Sequence, residues 1–263
     1  MYSQFSIFKK YIKYYFTASN GKGHGIHSPF VFDFVNNVLN KPENNEAILK
    51  IEKLRNDLLS SNEIIVVEDF GAGSRKIKDT KRLVKNIAKT SLKSKKYANL
   101  LFRISKYYKV DNIVELGTSL GITTAYLAAS ESNVFTIEGS NEVAKVASSV
   151  FNNIDRKNIN LFVGKFEDQL PLVLAKINNI GLGYVDGDHR KIPTLNYFNL
   201  LKSKSTENSI IIFDDIYWSK EMEEAWETIK ADSDVTLTID LFFIGIVFFI
   251  KDFKVKQDFT IRF

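Results

Sequence analysis

Cysteine is absent from the 263 residues, and its absence removes several kinds of chemistry at once. A chain without thiols has no disulfides, no thiolate metal sites and no iron–sulfur clusters. The absence of cysteine also excludes every class of enzyme that depends on a cysteine nucleophile.

Histidine is scarce: there are three in the chain, and His24 and His27 share one glycine-rich loop. These two are candidates for metal ligands or substrate contacts, or they belong to a loop that packs as a lid or caps the next helix.

Long hydrophobic runs are also lacking. The most apolar segment, residues 235–250, contains Asp240 and Gly245 and is shorter than the roughly 20 residues of a membrane span. Lysines and tyrosines interrupt the first 16 residues, which argues against a signal peptide. With 44% hydrophobic and 25% charged residues, the composition predicts a soluble globular protein without a membrane span and with a cytoplasmic location.

Charge is distributed unevenly along the chain. Residues 1–110 hold 21 Lys/Arg and 9 Asp/Glu, whereas residues 111–263 hold 15 and 22. The densest part, residues 75–109, has 13 basic residues and one acid. Such a segment can bind nucleic acid or another anion, but its excess of lysine over arginine favours an ordinary solvated helix face.

The aromatic and lysine-containing residues 2–16 predict an amphipathic helix. This helix would pack on the core, on the second subunit of a homodimer or on a membrane surface, and the first two outcomes are commoner.

A strand, a glycine-rich turn, a helix and a second strand follow one another between residues 110 and 140. Gly117 allows a sharp turn after the first strand, and Gly121 allows the helix to approach a strand or a ligand closely. Glu138 ends the second strand, where a carboxylate can accept both hydroxyls of a ribose. The pattern Glu-x-Gly-x-x-x-Gly from Glu115 differs from the dinucleotide pattern and favours a nucleoside with a zwitterionic or cationic tail. The alternative is a βαβ crossover without a ligand.

This stretch resembles the signature of the class I S-adenosylmethionine (SAM) methyltransferases. The resemblance implies that SAM is bound by residues of the turn, the helix start and the neighbouring strand ends. Phe166 would cover the adenine and Glu167 would contact it, unless both are plain loop residues. The implied cofactor-binding residues are Glu115, Gly117, Thr118, Ser119, Gly121, Thr123, Glu138, Gly139, Gly164, Phe166 and Asp186.

Two apolar strands in the second half of the chain end in carboxylates. Asp186 and Asp188 follow one strand, and Asp214 and Asp215 follow the next. In a doubly wound sheet, ligands lie beyond the carboxyl ends of the strands. We therefore expect Asp186, Asp214 and Asp215 to converge near the glycine turn and to hold Mg²⁺, Ca²⁺ or Mn²⁺, which would lower the pKa of a substrate hydroxyl. The alternative is that these acids cap helices or bind the amine of the cofactor.

Four motifs, ELGTSLG, TIEGS, YVDGDH and FDDIYW, together resemble the metal-dependent O-methyltransferases of the catechol and caffeoyl-CoA kind and related sugar O-methyltransferases. The resemblance implies methyl transfer to a hydroxyl of a small molecule, with Asp186, Asp214 and Asp215 as metal ligands and Asp186 and His189 catalytic. His189 stands where the family often has a lysine base, and Lys191 is a nearby alternative. Two other functions remain open: an RNA methyltransferase that uses the basic segment 75–109, and a non-catalytic SAM-binding protein.

The expected fold is α/β: a Rossmann-like, doubly wound sheet of seven strands with the last strand antiparallel. Residues 110–263 are expected to form the methyltransferase domain, and residues 1–109 a mainly helical extension that covers the active site. Residues 77–108 read as one long basic helix. A second glycine-rich stretch, residues 68–74, is interpreted as a turn or a substrate-side loop, because no apolar strand ending in an acid follows it at the needed distance.

Overall fold

A computed structural model describes residues 1–43, 45–68 and 80–263. Residues 69–74 of the second glycine-rich stretch lie outside the described residues. The chain forms two compact units: unit A comprises residues 1–41 and 178–263, and unit B comprises residues 42–177. The expected division at residues 109 and 110 stays a prediction.

Helices and strands alternate through most of the chain. The helices are α1 (Gln4–Thr17), α2 (Pro29–Phe34), α3 (Glu46–Ser60), α4 (Val84–Ser91), α5 (Lys95–Tyr107), α6 (Ile122–Ala128), α7 (Asn141–Ile154), α8 (Phe166–Ala175), α9 (Lys191–Lys202) and α10 (Lys220–Ala231), with a π-helical turn Val35–Leu39 after α2. The strands are β1 (Ile64–Val66), β2 (Lys81–Leu83), β3 (Asn112–Leu116), β4 (Asn133–Glu138), β5 (Ile159–Val163), β6 (Ile180–Val185), β7 (Ser205–Asp214), β8 (Leu237–Asp240), β9 (Ile244–Phe248) and β10 (Gln257–Thr260).

The α/β prediction is confirmed, with one strand more than expected. The strands other than β1 and β2 make a mixed, mostly parallel sheet of eight, in which β9 is antiparallel to its neighbours β7 and β8. The additional strand is β10, which pairs in parallel with β8 from Gln257 opposite Leu237 to Thr260 opposite Asp240. Its alternating exposed and half-buried residues identify an edge strand, and the sequence analysis had no apolar run to detect there.

Unit B contains the parallel strands β3, β4 and β5 and the helices that cover them. Its core includes Leu120, Ile122, Tyr126 and Phe151, all buried. Helix α3 packs against α6 and α7. At that contact the hydroxyl of Tyr126 donates to Glu52 Oε1 over 2.8 Å. This partly buried bond ties α3 to α6, the helix that follows the glycine turn.

The prediction of one long helix over residues 77–108, of which 77–79 lie outside the described residues, was wrong for residues 80–108. Residues Lys81–Leu83 form β2, which pairs antiparallel with β1. Two separate helices, α4 and α5, follow it. The lysine-rich composition favours helix locally, but pairing with a strand 17 residues away overrides this weak preference.

Unit A contains five strands whose directions decide where its polar residues lie. Strands β6 and β7 are parallel, and β9 is antiparallel to both β7 and β8, so β6, β7 and β8 run the same way. Their carboxyl ends therefore share one edge of the sheet, where Asp186, Asp214 and Asp240 occur. Helix α1 packs beside this edge through Tyr14, whose ring lies 5.2 Å from that of Phe242.

Among the described residues, no helix is both long enough and apolar enough to span a membrane.

Candidate functional site

The glycine turn of unit B adopts the backbone conformation that the sequence predicts. Gly117 and Gly121 have φ of 106° and 82°, values that residues other than glycine rarely adopt. A Cβ at Gly121 would also lie 2.8 Å from the ring of Phe151. Gly121 therefore allows a close approach to helix α7. The expected close approach to a strand or a ligand stays a prediction.

Glu138, at the end of β4, is held in place by two backbone amides. The amide of Ser119 in the glycine turn donates to Oε2 over 2.8 Å, and the amide of Ser140 donates to Oε1 over 3.0 Å. The side chain is half-buried. The two amides therefore fix the orientation of a carboxylate, a group whose two oxygens suit two hydroxyls.

Glu115 is fully buried beneath the turn and belongs to a chain of hydroxyl groups. Its Oε2 accepts hydrogen bonds from Thr124 Oγ1 at 2.5 Å and from Thr136 Oγ1 at 2.6 Å. Because Thr136 donates to Glu115, Thr118, 2.6 Å away, must donate to Thr136. These bonds join β3, β4 and α6 directly under the glycine turn, so Glu115 supports the turn from within.

Other predicted cofactor residues take positions around this group. The amide of Gly164, after β5, donates to the carbonyl of Glu138 over 2.9 Å. Gly139 lies between Glu138 and Ser140, and Thr123 is buried in α6. Phe166 begins helix α8, so the alternative that it is a loop residue was wrong.

Two serines that contact this group were not predicted from the sequence. Ser91, the last residue of α4, shares a hydrogen bond of 2.9 Å with the hydroxyl of Ser119. Ser140 donates its amide to Glu138 and accepts the amide of Glu68 at 3.4 Å. Ser140 could have been found from its place after the ribose acid, whereas nothing in the sequence links Ser91 to the turn.

In unit A, the loop after β6 holds Asp186 and His189 close together. The hydroxyl of Tyr184 donates to Asp186 Oδ2 over 2.9 Å, and Asp186 Oδ1 lies 3.9 Å from Nε2 of His189. Both side chains are about one-fifth exposed. Asp188 and His189 have φ of 67° and 43°. Two successive left-handed residues without a glycine are costly, and such strain is concentrated at functional sites.

The side chain of Asp188 is bonded to one residue of the same loop and one residue of α9. Its side chain is buried, accepts the hydroxyl of Tyr197 at 3.0 Å and pairs with the guanidinium of Arg190. Lys191, the alternative base, donates to Glu224 over 2.8 Å. Of the residues considered for proton transfer in this loop, His189 is therefore the one that lies beside the carboxylate of Asp186.

The two acids at the end of β7, Asp214 within the strand and Asp215 directly after it, occupy different environments. Asp214 is buried, with 2% of its surface exposed, whereas Asp215 is half-buried and left-handed, with φ of 53°. The amide of Asp215 donates to the carbonyl of Phe243 over 2.7 Å, and its own carbonyl accepts the amide of Trp218 at 2.8 Å. These bonds place the indole of Trp218 6.2 Å from the imidazole of His189, measured between ring centres.

The predicted metal centre of Asp186, Asp214 and Asp215 is not confirmed. No group of three or more histidine, aspartate or glutamate side chains that could hold a metal occurs in residues 1–43, 45–68 and 80–263. One oxygen of Asp186 is taken by the hydroxyl of Tyr184, and Asp214 is buried. The side chains present therefore do not fit a preformed three-carboxylate centre.

The loop with His24 and His27 leads into α2, with Ser28 as N-cap and Pro29 as the first helical residue. These histidines take part in no metal-binding group within the described part of the chain. A role for the loop in substrate binding stays a prediction.

This chain is similar in sequence and in fold to known methyltransferases. Residues 114–216 match the family model of a methyltransferase domain. A curated relative, a tRNA (guanine-N(7)-)-methyltransferase from Mycoplasma mobile, is 29% identical over 119 residues, which cover 41% of this chain and 59% of the relative. The chain thus spans about three fifths of the length of this relative. Fold and motifs together resemble those of the class I SAM-dependent methyltransferases.

Several solved structures have a fold similar to that of this chain. An O-methyltransferase from Bacillus cereus, in complex with S-adenosylhomocysteine (SAH), aligns with a TM-score of 0.56 at 18% identity, covering 83% of this chain and 97% of that one. The O-methyltransferase TomG from Streptomyces achromogenes, in complex with SAM, gives 0.57 at 17% identity, covering 79% and 91%. SAH-bound PaMTH1, a Podospora anserina methyltransferase, gives 0.59 at 12% identity, covering 84% and 96%. At these identities the likeness concerns the fold.

Proposed function

We propose that this protein transfers a methyl group from SAM to a hydroxyl of a small molecule. The observation that carries the proposal is the arrangement around Glu138. Its two oxygens are oriented by the amides of Ser119 and Ser140, beside a left-handed glycine turn. A carboxylate in this position suits the two hydroxyls of a ribose. The match of residues 114–216 to a methyltransferase domain supports the same proposal.

The residues of unit B fit the nucleoside part of SAM. Glu138 would receive the ribose, and the turn Gly117–Gly121 would offer its backbone to the amino acid tail. Gly164 and Phe166 would lie along the adenine. The cofactor supplies a methyl group that is made electrophilic by a sulfonium. The buried chain from Thr118 to Glu115 keeps the turn in its binding conformation, so little ordering is needed when the ligand arrives.

The proposal assigns proton removal to His189 of unit A. A neutral imidazole is a competent base near pH 7. Asp186, 3.9 Å from Nε2, stabilises the imidazolium that forms when His189 accepts the proton of the acceptor hydroxyl. The indole of Trp218, beside the imidazole, offers a flat apolar surface to a planar acceptor. Positioning of this kind contributes to the rate together with proton transfer.

A divalent ion on Asp186, Asp214 and Asp215 stays a prediction from the sequence resemblance. The described side chains do not form such a centre, so the proposed proton transfer uses His189 and Asp186 alone. Turnover of the full chain, measured with Mg²⁺ and with excess chelator, decides its role. Activity that survives the chelator would remove the metal from the proposal and leave His189 and Asp186 in place.

Methyl transfer from radiolabelled SAM to a panel of catechols, phenols and sugars tests the proposal directly. We expect His189→Gln to lower turnover by about 10²-fold or more, the usual contribution of a general base. The affinity for SAH should be unchanged, because His189 does not belong to the cofactor group. Lys191→Gln is the matched control and should retain activity. Loss of activity in the lysine variant, with activity kept in the histidine variant, would contradict the assignment of the base.

A second candidate, methylation of tRNA, rests on the relative from Mycoplasma mobile and on the basic helices α4 and α5. Their exposed lysines include Lys89, Lys95, Lys96 and Lys106. Label that appears in unfractionated tRNA, together with tRNA binding that falls steeply with salt, would favour this candidate. Label confined to hydroxyl compounds would favour the first.

A further inference from the structure

Helix α1 has two apolar faces. Within the part of the chain that the structure describes, one face packs against the rest of unit A and the other is exposed to solvent. The inner face carries Tyr11 and Tyr14, whose rings lie 5.1 and 5.2 Å from the ring of Phe242. The hydroxyl of Tyr2 and the ammonium of Lys10 each approach a carboxylate oxygen of Glu223 to 2.6 Å. These contacts fix the rotation of the helix, and therefore also the direction in which its second face points.

The second face, here called the outer face of α1, is a row of large side chains exposed to solvent. Spacings of three and four residues place its members on one side of the helix. Singly exposed apolar residues are common, but a continuous row of five on one helix marks an interaction surface. The members and their exposed fractions are Phe5 (64%), Phe8 (59%), Ile12 (40%), Tyr15 (47%) and Phe16 (80%).

Positive charge borders the outer face. Lys9 and Lys13 are exposed and lie one turn apart along one edge. The ammonium of Lys9 lies 4.5 Å from the ring centre of Phe5. At the opposite edge, the guanidinium of Arg262 lies 5.4 Å from the ring centre of Tyr15. Helix α1 contains three lysines and no acid.

This combination favours one occupant over others. A second copy of the chain, packed face to face, would bring the same lysines together without an acid on α1 to pair with them. Anionic lipid headgroups would instead pair with the lysines and with Arg262, while the phenyl rings enter the boundary between headgroups and acyl chains. We propose that the outer face of α1 binds the surface of an anionic membrane, with the helix lying in the plane of that surface.

Sedimentation of the full chain with lipid vesicles tests this proposal. We expect binding to vesicles of phosphatidylglycerol and phosphatidylcholine and much weaker binding to phosphatidylcholine alone. The double variant Phe8→Ser with Phe16→Ser should bind at least about tenfold more weakly, since each phenyl ring loses its apolar burial in the interface. The matched control is Ile192→Ser with Val255→Ser, which removes two exposed apolar side chains outside α1 and should bind like the wild type.

The electrostatic half of the proposal has its own variant. Lys9→Gln with Lys13→Gln should weaken binding to the anionic vesicles about fivefold per lysine. Added salt should also weaken binding of the wild type, because it screens the attraction between the lysines and the anionic lipids. All substituted positions are exposed, and unchanged thermal melting would confirm that the variants fold.

Three results would overturn the proposal. The first is absence of wild-type binding to anionic vesicles. The second is equal binding to neutral and anionic vesicles. The third is full binding by the phenylalanine variant. A wild-type dimer that dissociates in the phenylalanine variant, without vesicle binding, would assign the outer face to a second copy. None of these results depends on methyl transfer, so the proposed function is tested separately.

Discussion

Two glutamates that the sequence analysis placed together prove to have different surroundings. Glu138 is half-buried and oriented by backbone amides, whereas Glu115 is fully buried and accepts hydroxyl groups from Thr124 and Thr136. A carboxylate that touches a ligand must be reachable, and one that supports a turn must be enclosed. The first description fits Glu138 and the second fits Glu115.

Asp240 makes stability depend on pH in a direction that is unusual for an aspartate. Burial raises the pKa of its carboxyl, although the hydroxyl of Tyr217, the amide of Phe242 and the charge of Lys230 act in the opposite direction. A carboxyl with a raised pKa in the folded state favours folding in its protonated form. Its contribution to stability is therefore present below the unfolded pKa of about 3.9 and is lost as pH rises through the folded pKa.

The variant Asp240→Asn should therefore gain stability relative to the wild type as the pH rises. We expect the difference in melting temperature between variant and wild type to shift in favour of the variant between about pH 4 and pH 8. Asp252→Asn, at an exposed position, is the control and should show little change. A difference for Asp240→Asn that is constant with pH would contradict this account.

At the scale of elements, the contact between α6 and α7 depends on the absence of a side chain at Gly121. Gly25 provides a matched comparison, because its φ of 80° is nearly that of Gly121 but a Cβ there would meet nothing within 4 Å. Gly25→Ala should cost only the left-handed strain, about 1–2 kcal/mol. Gly121→Ala should cost more, because its Cβ also meets Phe151. Equal losses of unfolding free energy for the two variants, measured by urea denaturation, would show that the packing of Gly121 against α7 is not tight.

The hydroxyl chain below the turn should couple β4 to β3 and α6. Thr136→Val keeps the shape of the side chain but removes the donor to Glu115 and the acceptor for Thr118. Leaving buried polar groups without this partner costs about 1–3 kcal/mol. Thr260→Val, at an exposed strand position, is the control. Similar melting temperatures for the two variants would argue against the chain as a supporting structure.

The elements that the sequence predicts well are those specified by nearby residues. Strand β3, the glycine turn, α6 and β4 follow from a local pattern of apolar residues, glycines and a terminal acid. Strands β2 and β10 were missed because pairing with distant β1 and β8 creates them, and their own residues are polar. In physical terms, local preferences are weak and non-local pairing outweighs them.

At the scale of the whole molecule, the order of strands places acids at a common edge of unit A, but it does not decide which way their side chains point. Tyr184 takes one oxygen of Asp186, and Tyr197 and Arg190 take Asp188. Tyr184 begins the YVDGDH motif, but the motif does not indicate its hydrogen bond to Asp186. Arg190 and Tyr197 lie outside the motif. Sequence could therefore predict that carboxylates follow β6 and β7, whereas the contacts of each one required the folded chain.

Calorimetric titration of SAH into the full chain is the most direct test of the central claim, that the turn and Glu138 bind the cofactor. We expect saturable binding with one site per chain. Glu138→Gln should weaken it about tenfold or more, because hydrogen bonds to a charged group are lost, while Glu63→Gln, at an exposed position, should bind like the wild type. No binding by the wild type, or equal binding by the Glu138 variant, would contradict the account.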